Sequence, residues 1–307
     1  MSVEDTPLVW LPFDPAELGE PPSGLRYEVV DPRQAVPDSV SDVRFYVAPY
    51  GMSPAVAEAV PRMASLEVLQ VLSAGVDHVR SVVPDGVTLC NGRGIHDTST
   101  AELTLTLILS SLRGVPDFVR AQDRGEWAFG WHESLADKNV LLVGTGAIGT
   151  AIEQRLLPFE CSVTRVGRTA REGVHATSEL PDLLPDADVV VLIVPLTDET
   201  RGLFDAPMLA RMKDGALLVN VARGPVVDAD ALLAELAPGR LRAASDVFDT
   251  GPLPGDSPLW EAPGMLVSPH VGGASSAMWP RAHRLVRAQL ERYAAGEPLA
   301  NVMTGDY

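Results

Sequence analysis

The run NVLLVGTGAIGTAIEQRL places Gly144, Gly146 and Gly149 in G-x-G-x-x-G spacing, directly after an apolar stretch and at the head of a helix-forming one. In such a turn the first glycine permits the tight bend and the second lets the backbone approach a pyrophosphate. The third lets the helix pack closely, its positive end facing the phosphates. A glycine triplet alone is weak evidence, and the strand and helix around this one make it a dinucleotide site. The next apolar stretch, CSVTRV, runs into GRTAR, so Gly167 stands where an acidic residue would grip a ribose 2′-hydroxyl, and Arg168 and Arg171 follow. Delocalised cations with no repelling carboxylate suit a 2′-phosphate, which favours NADP over NAD. Two solvated surface arginines are the plainer alternative.

Two further residues suit chemistry on a small anion. Arg223, in NVARGPVVDADALLAEL, lies in a strand-to-helix turn between Ala222 and Gly224, where its planar fork can hold a carboxylate and polarise an adjacent carbonyl. The alternative is an arginine that satisfies loop carbonyls. His270, in SPHVGGAS, is the only one of six histidines flanked by proline and followed by a glycine pair at a strand end. It is the candidate proton donor, since the ordinary imidazole pKa of about 6.5 is near working pH. Upstream, SDVFDTGPLP holds Asp246 and Asp249, the carboxylates that could serve it.

These residues need a scaffold. LVWL, YEVV, VRFYVA, LEVLQVL and VTLC, and later NVLLVG, SVTRV, DVVVLIV, GALLVNV and GMLVS, alternate with helical stretches, which predicts an α/β fold of parallel sheets covered by helices. Pro195, Thr197 and Arg223 then project from the carboxyl ends of strands, the edge where such sheets bind ligands. STAELTLTLILSSLRG reads as one long helix joining two lobes, with Ser99 and Glu102 in capping-box spacing and Gly114 after its last turn. SSAMWPRAHRLVRAQLERYAAGE reads as a second long helix returning to the first lobe. Between them, Trp127, Phe129 and Trp131 sit in polar, glycine-containing surroundings, as either a subunit interface or an arm packed on its own domain.

Composition narrows the partners. The 307 residues predict two domains, and a net charge of −17 opposes binding to nucleic acid or to anionic membranes. Two cysteines, Cys90 and Cys161, suggest neither a disulfide framework nor a metal site. With an acidic start and no apolar run near the ~20 residues of a membrane span, a cytoplasmic protein is expected.

In the order LSAGVDHV, STAELTLTLIL, VGTGAIGTAI, VPLTDETRGLF, NVARGPVVD, SDVFDTGPLP and SPHVGGAS, the chain resembles the D-isomer-specific 2-hydroxyacid dehydrogenases over nearly its full length. GRTAR is similar to the NADPH-preferring glyoxylate and hydroxypyruvate reductases among them. The resemblance implies a Rossmann-type doubly wound cofactor domain (99–275) and a smaller flavodoxin-like substrate domain (1–98 with 276–307), and a homodimer held through the cofactor domain. It implies reduction of a small 2-oxo acid to the D-2-hydroxy acid with NADPH or NADH. Backbone N–H groups of Ser73, Ala74, Gly75 and Val76 would bind the substrate carboxylate, Arg223 would bind and polarise, and His270 would deliver the proton. The cofactor would run along Gly144, Thr145, Gly146, Ala147, Ile148, Gly149, Arg168, Arg171, Pro195, Thr200, Ala222 and His270, with Asp246 on its nicotinamide side. Tyr50, Met52 and Trp279 are candidates for the pocket wall or for ordinary packing.

One position departs from the family pattern. The glutamate that normally follows three residues after the Phe of D-V-F, and that orients and charges the histidine, is replaced by Gly251. An imidazole of ordinary pKa is roughly one-tenth protonated at pH 7.5, a penalty near ~1.4 kcal/mol. Losing the orienting carboxylate costs up to about 10⁴ in serine proteases, a loose ceiling for another chemistry. Asp249, two residues earlier on the same face of an extended segment, is a possible stand-in. The sequence therefore supports either a reductase of reduced activity or a catalytically degenerate NAD(P)-binding regulatory paralogue.

Overall fold

The structure, a computed structural model, describes residues 6–249 and 251–305. It divides into two compact units, Met1–His96 with Ser276–Tyr307, and Asp97–Ser275. In the first, β1 (Leu8–Leu11), β2 (Arg26–Val29), β3 (Val43–Val47), β4 (Val68–Gln70) and β5 (Thr88–Cys90) form a parallel sheet in the order 2-1-3-4-5, the flavodoxin-like arrangement. The unit's α-helices are α1 (Ser53–Ala59) and, from the far end of the chain, α8 (Met278–Ala295). Met278, Ala282, Val286 and Leu290 recur every four residues, so one stripe of α8 is buried against Val9, Leu11, Phe45 and Val47. Gln289, the polar residue in that contact, donates to Gln70 Oε1 and the Ala300 carbonyl at 2.8 Å each, so its amide is buried without being orphaned.

The second unit holds β6 (Asn139–Val143), β7 (Ser162–Gly167), β8 (His175–Ala176), β9 (Val189–Leu192), β10 (Leu217–Asn220), β11 (Arg242–Ser245) and β12 (Met265–Val267). They form one parallel sheet in the order β12-β11-β10-β9-β6-β7-β8. The direction of winding reverses between β6 and β9, the switch point of a Rossmann-type fold. Its α-helices are α2 (Asp97–Arg113), α3 (Val115–Asp123), α4 (Ala147–Leu156), α5 (Leu180–Leu183), α6 (Ala206–Ala210) and α7 (Ala229–Leu236). Val140 and Leu142 enter a core shared with α2 and α4, whereas Leu141 and Val143 enter one shared with α5, α6 and α7. Both faces of the sheet are covered, which is why β6 is apolar from Val140 to Val143.

Two strands lie outside the apolar runs read from the sequence. β8 is only two residues long, and β11 has the sequence RAAS, with none of the β-branched or aromatic residues that signal a strand. Ala243 and Ala244 are buried because β11 is paired on both sides and runs close to α2, where small side chains fit. Helix α2 also begins earlier than expected. Ser99 is buried in its first turn rather than capping it, and Asp97 supplies the negative charge at the N-terminus. Among the described residues no helix is long and apolar enough to cross a membrane.

The aromatic segment is settled in one respect. Trp127, Phe129 and Trp131 are 95, 81 and 95% exposed, so they are not packed on this chain. Within that stretch Leu135 is buried, and the exposed His132 lies edge-on to Phe118 at 4.8 Å.

Candidate active site

The glycine turn joins β6 to α4. A Cβ at Gly144 would lie 2.4 Å from the Ile193 carbonyl oxygen, and one at Gly149 would lie 2.1 Å from the Gly144 oxygen, so the fold itself demands glycine at both. Gly144 also has a φ of 121°, which side-chain-bearing residues rarely adopt. Gly146 differs, because nothing lies within 4 Å of where its Cβ would be. Only a group approaching from outside needs that space. Gly146 is the N-cap of α4 and offers no side-chain cap to the N–H groups of the first turn, which includes Ala147 and Ile148. An open backbone and an uncapped helix N-terminus fit a pyrophosphate.

The residues flanking this turn lie in the loops after β7 and β9. Arg171 Nη2 donates to Thr145 Oγ1 at 2.7 Å, bringing its guanidinium against the glycine turn itself. Arg168 has a partner that the sequence did not announce. Its Nε and Nη2 donate to the two carboxylate oxygens of Glu199 at 2.7 and 2.8 Å, and this hydrogen-bonded guanidinium holds the Glu199 carboxyl below the usual carboxylate range. Glu199 is carried by a loop that Thr200 shapes, its Oγ1 donating to the Pro195 carbonyl at 2.6 Å and accepting from the Thr197 N–H at 2.8 Å.

Arg223 follows β10. Asn220, buried at the strand end, accepts from the Ala222 N–H and donates to the Arg223 carbonyl at 3.0 Å each, fixing the backbone through the turn. Arg223 Nη1 donates to the Ala222 carbonyl at 2.7 Å, so one of its five donors serves its own loop. A Cβ at Gly224 would lie 2.0 Å from the Phe248 carbonyl carbon. Glycine here lets the Arg223 turn pack directly on the segment after β11.

That segment places Asp246, which is 3% exposed. Its Oδ1 accepts from Ser268 Oγ and the Val271 N–H at 2.8 Å each, and its Oδ2 from the Gly272 N–H at 2.9 Å. Beside its expected place on the nicotinamide side of the cofactor, Asp246 braces the stretch around His270, through the Ser268 hydroxyl before it and the Val271 and Gly272 N–H groups after it. His270 needs such bracing, because its φ of 55° lies in the left-handed region that non-glycine residues seldom occupy. The imidazole itself is exposed, and among the described residues it has no hydrogen bond or ion pair with any carboxylate. Asp249 is exposed and lines a cavity with Asn220, Gly224, Phe248, Leu253 and Asp256.

In the first unit, the loop after β4 has a one-sided polarity. The Ser73 carbonyl accepts from Gly92 N–H at 2.7 Å, that of Ala74 from Asn91 Nδ2 at 2.9 Å, and that of Gly75 from Ser73 Oγ at 2.8 Å. Among the described residues the N–H groups of Ser73, Ala74 and Gly75 donate to nothing. Oxygens held inward with N–H groups left over is an anion-binding arrangement. Tyr50 stacks on His96 at 5.2 Å, Met52 precedes α1, and Trp279 packs on Phe13 and His283.

Glu199, Asn220, Gly224 and Ser268 escaped the sequence reading. Each acts through a partner remote in sequence or through backbone geometry, and only the asparagine at a strand end carried any local signal.

A Rossmann-type sheet with this glycine turn defines the class, a nicotinamide-dinucleotide-dependent oxidoreductase. Residues 105–272 match the D-isomer specific 2-hydroxyacid dehydrogenase NAD-binding domain. The chain belongs to that family. It is 36% identical over 230 residues, 70% of each chain, to glyoxylate/hydroxypyruvate reductase B of Citrobacter koseri. A D-isomer specific 2-hydroxyacid dehydrogenase from Xanthobacter autotrophicus, solved with NADPH and MES, superposes with a TM-score of 0.80 at 32% identity, covering 97% of this chain and 98% of that one. An NADPH-dependent glyoxylate/hydroxypyruvate reductase from Sinorhizobium meliloti, solved with NADP and malonate, gives a TM-score of 0.81 at 26% identity and 98% coverage of both.

Proposed function

We propose that the protein reduces a small 2-oxo acid of the glyoxylate or hydroxypyruvate kind to the D-2-hydroxy acid, with NADPH preferred over NADH. The observation that carries this reading is the alignment of the glycine turn, Arg223 and His270 at the carboxyl ends of β6, β10 and β12 in one sheet. The dinucleotide, when bound, supplies the hydride. Ser73, Ala74, Gly75 and Val76 bind the substrate carboxylate through backbone N–H groups. Arg223 directs its guanidinium at the carboxylate and the 2-oxo oxygen, drawing electron density from the carbonyl carbon. His270 holds the proton that the oxygen receives as the carbonyl becomes a hydroxyl. The positions of Thr145, Ala147, Ile148, Pro195, Thr200 and Ala222 around the turn support their role in seating the cofactor. Arg168 and Arg171, with Gly167 in place of an acid, support the preference for a 2′-phosphate. Two of the relatives are named as glyoxylate/hydroxypyruvate reductases, and two were solved with NADPH or NADP. The exposed Trp127, Phe129 and Trp131 support a homodimer formed through the cofactor unit.

The test is oxidation of NADPH with glyoxylate and with hydroxypyruvate from pH 5.5 to 8, and NADH in parallel. Turnover with at least one acid is expected. A second reading, a cofactor-binding regulatory paralogue, is favoured by one observation, the absence of a carboxylate partner for the His270 ring among the described residues. Saturable NADPH binding with no measurable reduction across that pH range would establish it instead.

A further inference from the structure

The Arg168–Glu199 pair has a position that the sequence order conceals. Arg168 lies just beyond β7 and Glu199 lies in the loop after β9, and β6 runs between those two strands in the sheet. The ion pair therefore joins the loops on either side of the glycine turn. Its geometry is two-pronged, with the Arg168 Nε and Nη2 each on a separate carboxylate oxygen at 2.7 and 2.8 Å, the same edge of the guanidinium that would receive two oxygens of a phosphate. Both side chains are more than 60% exposed, so solvent screens the pair and a competing anion can reach it.

We propose that Glu199 is an internal competitor for the 2′-phosphate: its carboxylate occupies the Arg168 fork, NADP must displace it, and NAD need not. The inference rests on Arg168 as a 2′-phosphate ligand and adds a specificity-determining residue of opposite sign. Arg168 attracts the phosphorylated cofactor, and Glu199 opposes it twice, by holding the fork and by repelling the incoming dianion once displaced. The absence of an acid at Gly167 then gives only part of the cofactor preference, because a carboxylate reaches the same region from the other side of the turn. Arg171 is not subject to this competition, since its hydrogen bond is to the neutral Thr145 hydroxyl.

Calorimetric titration of the whole protein with NADP⁺ and with NAD⁺ tests this, using wild type, Glu199→Gln, Arg168→Ala and the double variant. Exposed ion pairs account for up to about five-fold in an equilibrium constant, so Glu199→Gln is expected to tighten NADP⁺ by about that factor and change NAD⁺ by less than about two-fold. With Arg168 replaced by alanine the gain should shrink to about two-fold or less, because there is no fork left to compete for. The proposal is overturned if Glu199→Gln leaves NADP⁺ affinity unchanged or weakens it, if NADP⁺ and NAD⁺ respond alike, or if the gain is undiminished in the Arg168→Ala background. The two layers separate cleanly. Equal losses of both cofactors in Arg168→Ala remove the 2′-phosphate reading itself. A selective loss there with no gain in Glu199→Gln removes only the role of Glu199. Both residues are exposed, so neither substitution disturbs a core.

Discussion

His270 combines a left-handed backbone, an exposed ring and no carboxylate partner among the described residues, so the fold braces its backbone rather than its ring. Placing a carboxylate at position 251, where the family pattern has its glutamate, is sterically open. Among the described residues a Cβ at Gly251 would meet only the Phe248 carbonyl oxygen, at an ordinary 3.5 Å. Gly251→Glu is expected to raise the reductive rate about ten-fold or more and, because a neighbouring anion keeps an imidazole charged to higher pH, to move the alkaline limb of the pH–rate profile upward. Steady-state rates across pH check both, and an unchanged rate and profile would show that position 251 is not the missing member or that Asp249 already serves. Asp246→Asn addresses the other half of the device. The amide replaces one acceptor oxygen with a donor facing either the Gly272 N–H or the Ser268 and Val271 donors, an unfavourable contact of about 1–3 kcal/mol. The expected outcome is a lower melting temperature together with a fall in kcat that no pH change restores.

At the scale of elements, the site depends on how closely the strand ends pack. Gly224→Ala would drive a methyl into the Phe248 backbone, which cannot rotate away, and overpacking of this kind costs about 1–3 kcal/mol. Thermal denaturation should show a drop of several degrees, accompanied by a higher KM because the Arg223 turn is displaced. The opposite edge of the sheet is stitched by Asp188, just before β9, which accepts from the Asn139 N–H at 2.9 Å and from Lys213 Nζ at 2.7 Å. Burial alone would raise its pKa, but the Asn139 N–H and the Lys213 ammonium outweigh burial and hold it below the ordinary carboxylate value. Its contribution to stability is therefore complete above the unfolded-state pKa of about 3.9 and is lost as pH falls through the lower folded value. Acid denaturation of Asp188→Asn should show a shallower loss of stability below about pH 4 than wild type. The strands with β-branched runs were legible from the sequence. β11 was not, because alanines signal a strand only when a helix lies close enough to require them, and that helix is more than a hundred residues away in the chain.

At the scale of the whole molecule, three large aromatics exposed on one short segment call for a covering surface. Trp127→Ala with Trp131→Ala is expected to lower the apparent mass in light scattering from dimer to monomer while leaving the far-ultraviolet circular dichroism unchanged. A monomeric wild type would remove the homodimer. The sequence by itself determined the alternation of strands and helices, the glycine turn, and the candidate Arg223 and His270, because each is written in neighbouring residues through local propensity and spacing, whereas Gly251 stands out only against the pattern of the family that the chain resembles. Only the tertiary structure decided that Asp246 braces the backbone after His270, that Asp249 is exposed, and that Glu199 already holds Arg168. Those outcomes follow from strand order. The sheet brings the loops after β7 and β9 together across β6, and the end of β11 against that of β12, and no local pattern encodes which remote carboxylate arrives at which donor.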